Sequence, residues 1–285
     1  APFGHECVGK VVAIGDAVSK FSIGDRVVPA NSAPCESCYF CTRKQYTQCE
    51  SLTLLNGAYA EYLLIPERIA SKNTYKVPDS IDAKQLACAE ILAVCLRGIE
   101  ACNIQPSDSV AIFGVGPIGQ IMATLAKQLG ATISLIGRNS EKLLSLQKTL
   151  SADSILALSE KDNEKWKQNT PSQKGFDIII EAVGLPEAWE SATQFVRPGG
   201  KVLFFGGCPS TSTVNLSTHQ LHYQEVQLLS TFHHTPSHFA QAVDMLASGK
   251  IDLSYLVTHT LPLDQLPQAF ALMTNQAATK VAIIP

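Results

Sequence analysis

Ser109-Val110-Ala111-Ile112-Phe113 runs directly into Gly114-Val115-Gly116-Pro117-Ile118-Gly119, and a helical stretch over residues 118–129 follows, stopped by Gly130. A short apolar strand, a G-x-G-x-x-G turn and a helix are the parts of a dinucleotide-binding unit, and each glycine has its own task. The first permits the tight turn, the second lets backbone approach a pyrophosphate, and the third lets helix pack on strand, while the helix N-terminus offers N–H groups to the phosphates. The motif alone also describes a plain glycine-rich turn; its context favours the fingerprint. Residues 133–136, 176–180 and 201–205 read as further buried strands, with helical segments at 141–149 and 186–195 between them. Strand and helix in alternation predict an α/β domain with a doubly wound parallel sheet, and Gly114, Val115, Gly116, Pro117, Ile118 and Gly119 are its expected phosphate-binding residues.

The end of the next strand bears on which nucleotide is favoured, because an acid there bonds the adenosine ribose of NAD and repels a 2′-phosphate. Ile136 is followed by Gly137-Arg138-Asn139-Ser140, with no acid. Arg138 can pair with a phosphate and Ser140 can donate a hydrogen bond to it, so NADP(H) is favoured over NAD(H). The alternative is a solvated Arg138 in a protein that takes NAD.

Upstream the texture is β-rich. Residues 8–14, 26–29 and 59–65 read as strands, the first two broken by the turn dipeptides Gly15-Asp16 and Gly24-Asp25 at either end of their connection. Between them stand Cys35, Cys38, Cys41 and Cys49, spaced C-x2-C-x2-C-x7-C. Four thiolates supplied by one short loop close a tetrahedron around Zn²⁺ and leave no open position, which predicts a structural zinc. Core packing fits this polar loop poorly, and so does disulfide pairing. Cys88, Cys95 and Cys102 differ: they recur at seven-residue intervals over the helical stretch 86–102 and read as buried apolar thiols.

Composition narrows the setting. The 285 residues are 46% hydrophobic and 16% charged, enough for two well-filled domains, with a formal charge of −3 that offers no field to nucleic acid. No segment reads as membrane-spanning or secretory, and nine cysteines are an odd count, so a reducing, cytoplasmic interior is expected. The opening Ala1-Pro2-Phe3-Gly4-His5 reads as the middle of a domain whose initial strands lie upstream.

Gly4-His5-Glu6, then the four-cysteine loop, then the glycine fingerprint occur here in the order that resembles the zinc-dependent medium-chain dehydrogenase/reductase family, the alcohol, sorbitol and threonine dehydrogenase group. The resemblance covers essentially the whole chain. It includes Gly24-Asp25-Arg26-Val27, Gly57-Ala58-Tyr59-Ala60-Glu61-Tyr62, Glu181-Ala182-Val183-Gly184, Arg197-Pro198-Gly199-Gly200-Lys201 and Leu256-Val257-Thr258-His259. It implies a GroES-like β-rich catalytic domain, incomplete at its N-terminus, over residues 1–90 and 232–285, and a Rossmann domain over 91–231.

By the same resemblance His5 matches the histidine ligand of a catalytic zinc, Glu6 the neighbouring acid that approaches or binds the metal, and Glu90 the acidic residue of the polyol-dehydrogenase branch. Two departures stand out. Ile91 follows Glu90 where proline is frequent, and the family's upstream cysteine and its proton-relay Ser or Thr have no counterpart. The implied activity is hydride transfer between an alcohol or polyol carbon and NAD(P), with a small alcohol, polyol or carbonyl as substrate, zinc polarising its oxygen and the site in the cleft between the domains. A homodimer or homotetramer is implied as well. The competing readings are a truncated or inactive dinucleotide- and zinc-binding pseudoenzyme, and a zinc-ribbon interaction module joined to a nucleotide sensor. The zinc-free quinone reductases are a nearer rival but lack the cysteine lobe.

Overall fold

A computed structural model describes residues 2–158, 170 and 172–285. The chain divides into two compact units, one of residues 1–94 with 233–285, the other of residues 95–232.

The first unit begins with short strands. β1 (Gly9–Lys10) pairs antiparallel with β2 (Arg26–Pro29), and β3 (Ser32–Ala33) leads into the cysteine loop, which holds the single-turn helix α1 (Tyr39–Thr42). β4 (Thr53–Leu54) closes that loop by pairing with β3, and after α2 (Glu67–Lys72) strand β5 (Thr74–Lys76) returns to β2. Ala33, Leu55 and Ile69 make a small core beneath the loop, with Leu63 and Ile65 packed against it.

Three expectations are corrected here. Of residues 8–14 only β1 joins a ladder, although the Val11 N–H donates to the Asp25 carbonyl and the Val11 carbonyl accepts the Gly24 N–H. Residues 59–65 form no strand: Leu63 and Ile65 bury alternate side chains as the pattern requires, but a ladder also needs a neighbouring strand, and no described strand runs beside them. Farther on, the stretch 86–102 is not one helix but α3 (Ala83–Leu86) and α4 (Ala89–Cys102). Asp82 caps the first by accepting the Lys84 N–H at 3.0 Å, and the chain then turns at Ala87 and Cys88.

The second unit carries a six-stranded sheet. β6 (Ser109–Phe113), α5 (Pro117–Gln128), β7 (Thr132–Gly137), α6 (Ser140–Thr149) and β8 (Ser154–Ala157) form one half. β9 (Phe176–Glu181), α7 (Pro186–Gln194), β10 (Val196–Phe204), α8 (Thr218–His222) and β11 (Gln227–Ser230) form the other. All pairings are parallel, in the order β11-β10-β9-β6-β7-β8, so the strand order reverses between β6 and β9. Every residue of β6 is buried, as a strand covered on both faces demands. Pro117 occupies the first turn of α5, and Gly130, at φ +86°, lets the chain leave it in the left-handed region. Phe113, Ile136, Ile179, Phe195 and Phe204 fill the layer between sheet and helices, with Trp189 stacked on Phe204 at 4.1 Å.

The chain then returns to the first unit through α9 (Pro236–Ala247), capped by Thr235, the parallel pair β12 (Val257–Pro262) and β13 (Lys280–Ile284), and α10 (Leu266–Thr274) between them. No helix among the described residues is long and apolar enough to cross a membrane.

Candidate active site

The four loop cysteines converge. One sulfur from each of Cys35, Cys38, Cys41 and Cys49 lies within 4.8 Å of the others. Cys35 and Cys41 are 3.9 Å apart at sulfur, nearly twice a disulfide bond and close to the edge, about 3.8 Å, of a tetrahedron with Zn–S bonds of about 2.3 Å. The backbone builds this arrangement: the Cys38 N–H points at Cys35 Sγ and the Cys35 N–H at Cys49 Sγ, both at 3.3 Å, while Glu36 adopts φ +66° to close the first turn. Backbone N–H groups of Ser37 and Cys38 hold the Cys35 thiol down to about 5, whereas burial pushes Cys41 up to about 12. Backbone N–H groups of Cys41 and Glu50 lower Cys38 as well, so the loop combines thiols that ionise readily with one that needs a cation to do so. The donor set fits zinc.

A second cluster gathers around Glu90. Gly4, at φ +85°, turns the chain so that His5 follows; a Cβ there would lie 2.7 Å from the Tyr59 ring. His5 Nε2 stands 3.9 Å from Glu90 Oε2, in the first turn of α4. Nitrogen and carboxylate ligands at 2.0–2.1 Å from zinc in tetrahedral array are about 3.4 Å apart, so a small movement brings the pair onto one ion. Glu90 Oε1 is occupied, accepting from Asn31 Nδ2 at 3.1 Å. Burial, reinforced by the negative charge of Glu6, pushes the Glu90 carboxyl up to about 7. Glu6 itself is paired with the Lys280 ammonium from β13. Burial works against that ammonium, yet Glu6 beside it keeps its pKa above the ordinary lysine value.

His233 and His234 also reach this cluster, each with a nitrogen within 4.8 Å of the other and of a Glu90 oxygen. His233 Nε2 lies 2.6 Å from Ser32 Oγ, and His234 Nε2 lies 2.8 Å from Asn31 Oδ1. Sequence reasoning missed Asn31, Ser32, His233 and His234. The doubled histidine just before the Thr235-Pro236 helix start was the available signal.

Cys88, Cys95 and Cys102 are fully buried and outside both clusters, and burial pushes Cys88 to about 11 and Cys102 to about 12.

In the second unit the glycine fingerprint lies where β6 meets α5. Gly114, at φ +98°, makes the turn, and a Cβ on it would strike Val183 at 2.7 Å; a Cβ on Gly119 would lie 2.0 Å from the Gly114 carbonyl oxygen. A Cβ on Gly116 would meet nothing within 4 Å, and no side chain caps α5 there. An open glycine before uncapped helical N–H groups fits a pyrophosphate. At the end of β7, Asn139 Oδ1 accepts the Lys142 N–H at 2.9 Å and starts α6, with Ser140 as its first residue; Arg138 is exposed and pairs with none of the described residues.

Glu181 ends the neighbouring strand, fully buried. Its Oε1 accepts the N–H groups of Val183 at 2.7 Å and Gly184 at 3.0 Å, which fixes the turn beside Gly114, but its Oε2 has no partner among the described residues. Burial raises its pKa above the ordinary carboxylate value. The folded state therefore binds this proton more tightly than the unfolded chain, so the group's stabilisation is full in acid and is lost as pH rises through the folded pKa. Glu181→Gln, which cannot ionise, is expected to flatten the fall of melting temperature with pH. Melts between about pH 4 and pH 8 check this, and a slope equal to that of the parent would refute it.

Comparison with known proteins finds two family domains. Residues 1–79 match the alcohol dehydrogenase GroES-like domain and residues 117–248 the zinc-binding dehydrogenase domain. Sorbitol dehydrogenase of Bacillus subtilis is 28% identical over 289 residues, covering 99% of this chain and 80% of that protein. Erythritol/L-threitol dehydrogenase of Mycolicibacterium smegmatis is 30% identical over 292 residues, covering 99% of this chain and 79% of that protein. A zinc-binding dehydrogenase of Sinorhizobium meliloti solved bound to NADP superposes with a TM-score of 0.88 at 27% identity, over 99% of this chain and 83% of that one.

Proposed function

The chain belongs to the zinc-type medium-chain dehydrogenases, and from that premise we propose that His5 and Glu90 hold its catalytic zinc while Cys35, Cys38, Cys41 and Cys49 hold a structural one. The protein is an oxidoreductase that moves hydride between an alcohol or polyol carbon and a nicotinamide nucleotide. Nothing in the comparisons favours the inactive reading. When bound, zinc supplies the Lewis acid that polarises the substrate oxygen, and the nicotinamide gives or takes the hydride.

The observation that carries the site assignment is the 3.9 Å approach of His5 Nε2 to Glu90 Oε2, with the other Glu90 oxygen already tied to Asn31. Glu6, held by Lys280, stands beside the pair as the exchangeable acid. Gly114, Val115, Gly116, Pro117, Ile118 and Gly119 cradle the pyrophosphate. Arg138 and Ser140 receive a 2′-phosphate, which makes NADP(H) the preferred nucleotide; the exposed guanidinium and the absence of an acid after Gly137 support this choice. The family premise supports a homodimer or homotetramer, and the nine cysteines, none of which forms a disulfide, suit a reducing, cytoplasmic setting.

The test is a screen of polyols, simple alcohols and their carbonyl counterparts with both nucleotides, alongside metal analysis. The expected result is polyol-dependent reduction of NADP and about two zinc ions per chain. Arg138→Asp is expected to lower kcat/KM with NADP by roughly tenfold to a hundredfold, the worth of a charge-assisted phosphate contact, and to leave NAD turnover nearly unchanged. An unaltered nucleotide preference would remove Arg138 from the ribose site.

A further inference from the structure

Glu90 has two oxygens that are chemically alike in solution, and the structure treats them differently. Oε2 faces His5, while Oε1 accepts from Asn31 Nδ2 at 3.1 Å. The other end of the Asn31 amide, Oδ1, lies 2.8 Å from His234 Nε2. Because the amide donates to Glu90 through its nitrogen, its oxygen is an acceptor, so His234 Nε2 must carry a proton and donate it. An asparagine is suited to this place because it can donate at one end and accept at the other.

We propose that Asn31 and His234 form an orienting relay that fixes Glu90 so that Oε2, and not Oε1, is the oxygen presented to the catalytic metal. This rests on the reading of His5 and Glu90 as metal ligands. Asn31 and His234 are positioning residues: they act on the metal through Glu90.

Both members of the relay are held firmly. Asn31 sits between β2 and β3, its carbonyl accepting the Leu55 N–H at 2.8 Å, and it is 9% exposed. His234 is 2% exposed and lies between the His233 ring at 4.2 Å and Phe239 of α9 at 5.3 Å. Its Nδ1 faces the Thr235 carbonyl oxygen at 3.3 Å. With its proton on Nε2 and donated to Asn31, that nitrogen has no lone pair to offer a metal. Rigid partners behind a metal-binding carboxylate remove the rotational freedom that the ion would otherwise have to freeze out, and loss of such a partner typically costs 10- to 100-fold in metal affinity.

The experiment measures zinc affinity of the full chain by chelator competition, counting the two sites separately, with cobalt absorbance of the non-cysteine site as a second readout. Asn31→Leu and His234→Phe, each close in volume to the parent, are expected to weaken that site by about 10- to 100-fold while the four-cysteine metal stays bound. His234→Gln, whose amide can still donate to Asn31, is expected to restore affinity to within about threefold of the parent, which a merely structural role for the ring would not produce. The double variant Asn31→Leu/His234→Phe should be no weaker than Asn31→Leu alone, since the two act in series. Three results would overturn the relay: parental affinity in Asn31→Leu and His234→Phe, equal losses in His234→Gln and His234→Phe, or independent losses that multiply. A parent protein that binds metal only at its cysteines would instead overturn the ligand assignment beneath it.

Discussion

Replacing Cys41 by serine is expected to remove one metal ion per chain and to lower the stability of the first unit by on the order of 5 kcal/mol, a large share of what a domain of this size possesses. The loop it belongs to has little else to hold it. β3 and β4, which close it, are two residues each, and the core beneath is built on Ala33, Leu55 and Ile69. Cys41 is the buried member of the cysteine set, and burial, reinforced by the neighbouring Cys38, Cys49 and Cys35 thiols, pushes its thiol up to about 12, so in the metal-free loop it stays protonated. A cation that draws the proton off and binds all four sulfurs therefore contributes both the enthalpy of the bonds and the closure of the loop. Serine keeps the shape and loses the soft sulfur. Metal analysis should show one ion fewer, and hydrogen exchange should show the loss of protection concentrated over residues 35–49. Cys102→Ala, which removes a buried thiol from α4, is the control: it should keep every metal and cost only the packing of one small side chain. If Cys41→Ser retained its metal complement and melted with the parent, the four-cysteine assignment would be lost.

What could be read in the sequence was local or periodic. The β6 run, the glycine turn and α5 are contiguous, and each is required by backbone sterics or by burial on two faces, so residues 109–130 were legible without any partner in view. The cysteine loop was legible for the same reason, because its ligands come from one short segment. The chain was less readable wherever a partner is distant. Residues 59–65 carry the alternation of a strand, yet alternation reports side-chain burial and not the presence of a ladder. The break at Ala87 and Cys88 was hidden because apolar residues at helical spacing continue through it; there the Cys88 N–H turns to the Gln85 carbonyl, three residues back instead of four, which no spacing of side chains reports. At the Glu90 cluster, His5 and Glu90 were found only through a resemblance. Asn31 and His234 were not found at all: they are 203 positions apart, and an amide–imidazole hydrogen bond leaves no spacing in a sequence.

Substitutions at two glycines of the fingerprint should differ in what they cost, and the contrast separates what the turn needs from what the nucleotide needs. Gly119→Val places its Cβ on the Gly114 carbonyl oxygen, which would lie 2.0 Å away, with Gly114 C and Ile112 also at 3.1 Å. The nearest obstacles are backbone, which cannot swing aside as a side-chain tip can, so α5 must move off β6. The expected result is a loss of about 2–4 kcal/mol in stability together with a fall in dinucleotide affinity of a hundredfold or more, since the phosphate-facing N–H groups move with the helix. Gly116→Ala meets nothing within 4 Å and has an ordinary negative φ, −72°. It should therefore melt within about 0.5 kcal/mol of the parent. Its methyl nevertheless enters the space a pyrophosphate would occupy, so dinucleotide affinity should fall by at least tenfold in a protein that is otherwise intact. Calorimetric melts and titration with NADPH give both quantities for both variants. Undiminished nucleotide binding by Gly116→Ala would mean that the pyrophosphate does not lie against this glycine, whatever Gly119→Val does, because only Gly116→Ala leaves the fold unstrained.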